Sequence, residues 1–240
     1  MRKLLIGALT GTVMLLIAAV AYAATVQEYD QKYSTKKPKT SAGTTFTTKS
    51  IDEENTANNK QPAPVRQLDI KFPAGTKIDQ RAKPFCKNFN ESEEKPCPDN
   101  TLIGKGNAEA IVPLEGFQTV LLDVFAYNRK GGLYVYAVPT SPPGQAPVLL
   151  RPTFKGLTLS TNIPPQCIAS APDASGNCPN GEAILSKFFL KTKAFKKGKR
   201  IFIRTPKTCP KSKKWVFTAK FQYGHGEPNA TRKSNSPCKK

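Results

Sequence analysis

A Cys-Pro pair recurs three times along the chain, at Cys97-Pro98, Cys178-Pro179 and Cys209-Pro210. Each is followed a few residues later by an apolar residue within a strand-like run: Ile103, Ile184 and Trp215. The last run is the most regular. In TPKTCPKSKKWVFTAKFQY (205–223), Trp215, Phe217, Ala219, Phe221 and Tyr223 fall on one side and Val216, Thr218, Lys220 and Gln222 on the other. A period of two means a strand with one buried face. Cys86 and Cys167 stand eleven positions before the first two pairs. The pattern describes a body in which pinned loops launch β-strands.

Composition agrees. Proline (21) and glycine (16) are frequent in the 240 residues and helix-favouring runs are scarce, which suits many short strands joined by turns. The expected fold is all-β: an antiparallel β-sandwich, immunoglobulin-like or jelly-roll-like, with disulfide-bonded loops, over residues 66–240. Six cysteines can pair in many ways, and local order favours Cys86 with Cys97, Cys167 with Cys178, and Cys209 with Cys238. Each short loop would remove roughly 3 kcal/mol of unfolded-state entropy. The cysteine spacing is long, no CxxC occurs and the sole histidine is His225, so no metal or cofactor is expected.

Residues 1–23 read as an export leader, with Arg2 and Lys3 at a basic start, an apolar run, and an A-x-A cleavage site at Ala21 to Ala23. The alternative is an uncleaved membrane anchor. Either way the remainder is expected outside the cell or in its envelope, in agreement with the even cysteine count. Residues 24–65 are polar with no usable hydrophobic period, and are expected to be a flexible tail or linker with one edge strand at 44–51.

Within the body, Leu68, Ile70 and Phe72 alternate with polar residues, and Pro73 to Gly75 ends that strand. Glu91, Glu93 and Glu94 make the first cysteine loop acidic. The GKG at 104–106 lacks the spacing and the Ser/Thr of a phosphate loop. Residues 120–127 and 133–138 flank a hairpin turn, and Pro152 implies an edge or a bulge. Residues 183–195 and 200–205 are expected to form a second hairpin around Gly198, which would supply a positive φ.

The net charge of +20 draws attention to this second hairpin. With Phe188, Leu190, Thr192 and Ala194 inward, Lys187, Phe189, Lys191, Lys193 and Phe195 face outward. With Ile201 and Ile203 inward, Arg200, Phe202 and Arg204 join them. Cations interleaved with aromatics suit an anionic polymer, held by charge and stacking. The candidate binding residues are therefore Lys187, Lys191, Lys193, Arg200, Phe202 and Arg204. The expected partners are an anionic surface polymer (an acidic glycan or a teichoic-type polymer) or membrane headgroups, and no specific nucleic acid. The bland alternative is a solvated basic face that protects an edge strand.

Catalysis has no recognisable constellation, and the expected function is non-enzymatic. A Ser-His-Asp or Cys-His arrangement would have to use His225, in a turn near the end. Asp69, Asp79, Glu109, Glu115 and Asp123 are scattered, although a hydrolase with a carboxylate pair, carbohydrate-active or other, is an alternative because such pairs are not sequence-local. A purely structural extracellular domain is another. Asn90 and Asn229 begin glycosylation sequons, which matter only in a eukaryotic secretory route.

The stretches LDIKFPAGTKID, CPDNTLIGKGNAEA, TPKTCPKSKKWVFTAKFQYGHG and the terminal SPCKK resemble a family of uncharacterised secreted proteins of soil actinobacteria of the Solirubrobacter type. The resemblance spans about residues 66–238. It implies export, a β-rich body and paired cysteines, and brings no activity, ligand or catalytic residue. The basic run around Phe195 departs from that family.

Overall fold

The computed structural model describes residues 25–52, 62–90, 96–113, 118–142, 146–168, 171–174 and 178–239. The expected leader, the three glutamates of the first cysteine loop, and Glu115 lie outside them. The strands in chain order are β1 Thr25–Tyr33, β2 Thr44–Asp52, β3 Val65–Lys71, β4 Lys77–Ile78, β5 Leu102–Val112 and β6 Gln118–Arg129. Then come β7 Gly132–Ser141, β8 Val148–Leu150, β9 Thr153–Lys155, β10 Thr158–Asn162 and β11 Ile184–Thr192. The chain closes with β12 Lys196–Lys197, β13 Arg200–Ile201, β14 Ile203–Arg204, β15 Lys214–Tyr223 and β16 Ala230–Pro237. Two 3-10 turns, Gln80–Ala82 and Asp99–Thr101, are the helical elements among the described residues.

The protein is all-β and antiparallel, as expected, but it does not stack two sheets. One large sheet runs in the order β1-β2-β11-β5-β6-β7-β9-β10-β3-β15-β16, with β8 attached to β7, and rolls until it is nearly closed into a barrel. Every pairing along this path is antiparallel. Eleven strands in strict alternation leave β1 and β16 pointing the same way. The two lie side by side, and side chains bridge them: Ser234 Oγ accepts the Gln31 N–H at 2.8 Å, and Ser236 Oγ accepts the Tyr33 N–H at 3.0 Å.

The inner face is the expected alternation. Trp215, Phe217, Ala219, Phe221 and Tyr223 are all buried. Tyr33 packs edge-on to Trp215 at 5.4 Å, and Phe72 lies 5.6 Å from Phe217. All three favoured disulfides are formed, with Cα separations of 5.6, 5.0 and 5.6 Å. Each Cys-Pro pair precedes its strand as read. Among the described residues no helix is long and apolar enough to cross a membrane.

Two expectations fail here. Residues 25–52 are not a tail: β1 and β2 are full members of the barrel, and β2 lies between β1 and β11 instead of at an edge, while residues 53–61 of the expected linker lie outside the described residues. Their pattern is hidden because the inward positions are polar. Gln27, Gln31, Thr44, Thr48 and Ser50 are buried and hydrogen-bonded: Ser50 donates to Gln27 Oε1 at 2.8 Å, Tyr223 donates to the same oxygen at 3.1 Å, Tyr29 donates to Gln31, and Thr44 pairs with Thr192. Nor do residues 183–195 and 200–205 form one hairpin. β11 pairs with β2 and β5, and the hairpin around Gly198 (φ 57°) shrinks to β12 and β13. The GKG glycines explain part of this. A side chain at Gly106 would collide with the Phe189 carbonyl, so glycine there admits β11 against β5. The first hairpin is formed as expected by β6 and β7, with β6 running on past Tyr127 to Arg129 and the turn at Lys130-Gly131.

Candidate functional site

The register assigns every loop to one of two barrel ends. Tyr33, the start of β2 and the end of β11 share an end, because Thr44 pairs with Tyr33 and Thr192 pairs with Gly104. The same end holds the start of β7, the end of β3, and the Lys214–Pro237 pairing of β15 with β16. Residues 34–43, 72–90, 96–101, 193–213 and 238–239 therefore gather there.

That end is strongly basic. The segment 193–204 contributes Lys193, Lys196, Lys197, Lys199, Arg200 and Arg204. β4 and the 3-10 turn after it add Lys77, Arg81 and Lys83. They are brought in by the β14–β4 ladder, in which Ile203 faces Ile78 and Arg204 faces Lys77, and by a backbone bond from Asp79 to the Phe202 carbonyl at 2.9 Å. Lys36, Lys37 and Lys39 follow β1 and are tied in by bonds from Lys39 N to Pro206 O and from Thr205 Oγ1 to Lys37 O. Lys211, Lys213 and Lys239 border an open crevice of about 540 Å³ beside the Cys209–Cys238 bridge. Among the described residues, Asp79 and Asp99 stand against these cations. Asp79 is bound to Arg81 at 2.9 Å, and that hydrogen bond holds its carboxyl below the usual range. Burial and the nearby Lys193 lower the pKa of Lys83, whose ammonium sits 4.3 Å above the Phe195 ring. The opposite end carries Asp173, Glu182 and Glu227, with Arg66 paired to Glu182.

The sequence-derived site is thus partly assembled and partly dispersed. Lys193, Arg200 and Arg204 come together at the basic end. Lys191 is exposed on the outer wall nearby, beside Lys105 on β5. Lys187 sits further along that wall and is held by Glu109 at 2.7 Å. Phe202 is a correction: it is 2% exposed and packs inside against Phe195 at 6.3 Å. The chain breaks between β13 and β14, so Phe202 and Ile203 both turn inward and strict alternation fails. Ala194, expected inward, is exposed for the same reason: β11 has already ended at Thr192. Lys77, Arg81 and Lys83 went unread because nothing local joins them to 193–204; a long-range ladder does.

Among the described residues, the scattered carboxylates do not converge. Asp69 accepts a hydrogen bond from Ser160 at 2.5 Å, and Glu109 holds Lys187. Asp69, Glu109 and Asp123 lie on the convex outer wall, opposite in alternation to the buried Ile70, Ala108 and Val124. His225 is an exposed turn residue with φ 56°. Among the described residues no cluster of His, Cys, Asp or Glu could hold a metal. A scan against protein-family models finds no match, and neither do searches of the curated proteins and of the solved structures.

Proposed function

We propose that this is an exported or envelope-associated protein, without chemistry of its own, that holds an anionic surface polymer against the basic end of its barrel. The observation that carries this reading is the segregation of charge. Four chain segments distant in sequence place their cations at one end of a rigid scaffold, where Asp79 and Asp99 are the carboxylates that offset them among the described residues. Such a surface concentrates polyanions, because charges within a Debye length of about 8 Å act together on a repeating partner. Exposed lysines and arginines on loops suit a phosphate- or carboxylate-bearing chain of irregular shape. Phe195, beneath Lys83, gives one cation a fixed seat. Three disulfides fit an oxidising compartment, which supports export.

The test is retention on heparin, on a teichoic-type polymer and on anionic-lipid-coated resin. Replacing Lys193, Arg200 and Arg204 with Ser is expected to lower the eluting salt concentration markedly. Lys187→Ser, whose ammonium is already engaged by Glu109, is expected to change it little. Equal retention of the triple variant and the unaltered protein would reject the site.

A further inference from the structure

The barrel is not filled. Two cavities of about 110 and 130 Å³ lie end to end inside it. Their walls are almost wholly carbon, and Val135, Leu150, Ile163, Leu185 and Phe188 line both. The space nearer the acidic end exists because the inward residues there are small: Ala108 and Ala110 on β5, and Ala137 on β7. Apolar cavities of this size stay dry and accept molecules such as benzene.

The wall beside this space is also incomplete. β10 pairs with β9 at residues 158–160 and with β3 along its whole length, so among the described residues its end at Thr161 and Asn162 has no ladder partner on the β9 side. β8 would be the neighbour there, but it pairs with β7 alone among the described residues. Pro152, which has no N–H to offer a ladder, separates β8 from β9. The unladdered stretch between Val148 to Leu150 and Thr161 to Ile163 runs alongside the second cavity, which both Leu150 and Ile163 line. The polar groups at the cavity's rim are the Gln166 amide and Glu182, whose charge is balanced by Arg66.

We propose that the barrel interior binds a neutral amphiphile with one hydrocarbon chain, admitted through the gap between β8 and β10. The chain lies in the alanine-lined cavity, and its uncharged polar head stays at the rim with Gln166. A chain longer than one chamber reaches past the residues that line both, Phe188 among them. A charged head is disfavoured, because the rim's one carboxylate already has its guanidinium. This site is separate from the basic end and does not depend on it.

The experiment is calorimetric titration of the full chain with 1-octanol, alongside thermal melts in its presence. The unaltered protein is expected to bind and to melt at a higher temperature as octanol is added. Ala137→Leu and Ala110→Leu each fill the cavity from a different strand, and each is expected to weaken octanol binding at least tenfold. The Lys193, Arg200 and Arg204 triple variant is expected to bind octanol unchanged while losing polymer retention, so the two proposals fail independently. Absence of octanol binding by the unaltered protein would overturn the inference. So would undiminished binding by both leucine variants. If one variant does not fold, the other decides.

Discussion

Ser234 clasps β1 across the seam of the barrel: its Oγ accepts the Gln31 N–H at 2.8 Å, and its one proton faces both the Asp30 carboxylate at 2.8 Å and the Gln31 carbonyl at 3.0 Å. Ser236 repeats the acceptance with the Tyr33 N–H. The arrangement follows from counting. Ten successive antiparallel pairings leave the terminal strands of the sheet parallel, and hydroxyls on one strand reach the backbone of the other. Ser236 is fully buried and Ser234 is nearly so, so no water stands in for them. Ser234→Ala would leave the Gln31 N–H buried without a partner, at a cost of about 1–3 kcal/mol. Urea denaturation is expected to show that loss for each serine. The double variant should expose β1 and β16 as sheet edges and aggregate at concentrations where the unaltered protein is monodisperse. A double variant as stable as the unaltered protein would show that the seam is held elsewhere.

The three disulfides differ in what they hold. On chain-entropy grounds they are close: roughly 3 kcal/mol for each eleven-residue separation and about 3.5 kcal/mol for the longer one between Cys209 and Cys238. Cys238, however, is buried directly after β16, and its N–H bonds the Lys213 carbonyl at 2.9 Å. It anchors the seam strand. Cys167 and Cys178 sit half-buried in a loop at the other end. Replacing Cys209 and Cys238 with serine is therefore expected to lower Tm more than replacing Cys167 and Cys178. It should also raise hydrogen exchange in β16 specifically, which mass spectrometry of its peptides would read.

These relationships show why part of the molecule was legible in its sequence and part was not. The Trp215 strand and the Cys-Pro punctuation were readable because apolar alternation and cysteine order are local signals. β1 was missed because its inner face is Thr25, Gln27, Tyr29, Gln31 and Tyr33, a row whose polarity is satisfied by partners far away in the chain. The outward direction of Lys187 and Lys191 was read correctly from Phe188 and Leu190. Phe202 was misplaced because a break between two short strands resets the alternation. The basic end as a whole could not be read, since Arg81 and Arg200 come together through a ladder of non-local contacts.

Asn128 links the scaffold to that basic end. It is fully buried at the close of β6, where its Nδ2 faces the carbonyls of Gln80, Lys83 and Pro84 at 2.9, 2.9 and 3.1 Å. It thus fastens the turn that bears Arg81 and Lys83 without contributing charge. Asn128→Leu would strand those carbonyls at a cost of about 1–3 kcal/mol and free the turn. Polymer retention is expected to fall although no cation has been removed, and proteolysis is expected to open first near residue 81. Unchanged retention in the folded variant would mean that the turn's position does not matter to binding.

Alkaline pH probes the interior directly. Burial raises the pKa of the Tyr29, Tyr33 and Tyr223 phenols above the ordinary value of 10.0, with that of Tyr223 pushed up to about 12. The unfolded chain loses these protons first, so above pH 10 it binds fewer protons than the native state. The stability contributed by the neutral phenols is complete below pH 10 and declines as pH rises beyond it. Tm is expected to be flat up to that point and then to fall, with phenolate absorbance for these residues emerging only as the barrel opens. Tyr33 also shares a 2.6 Å hydrogen bond with Thr76. Tyr33→Phe is accordingly expected to cost about 1 kcal/mol at neutral pH. It should flatten the alkaline decline, because one of the buried titrating phenols is gone. A variant whose Tm falls as steeply above pH 10 would show that Tyr33 ionises freely in the folded protein and is not sealed within the wall.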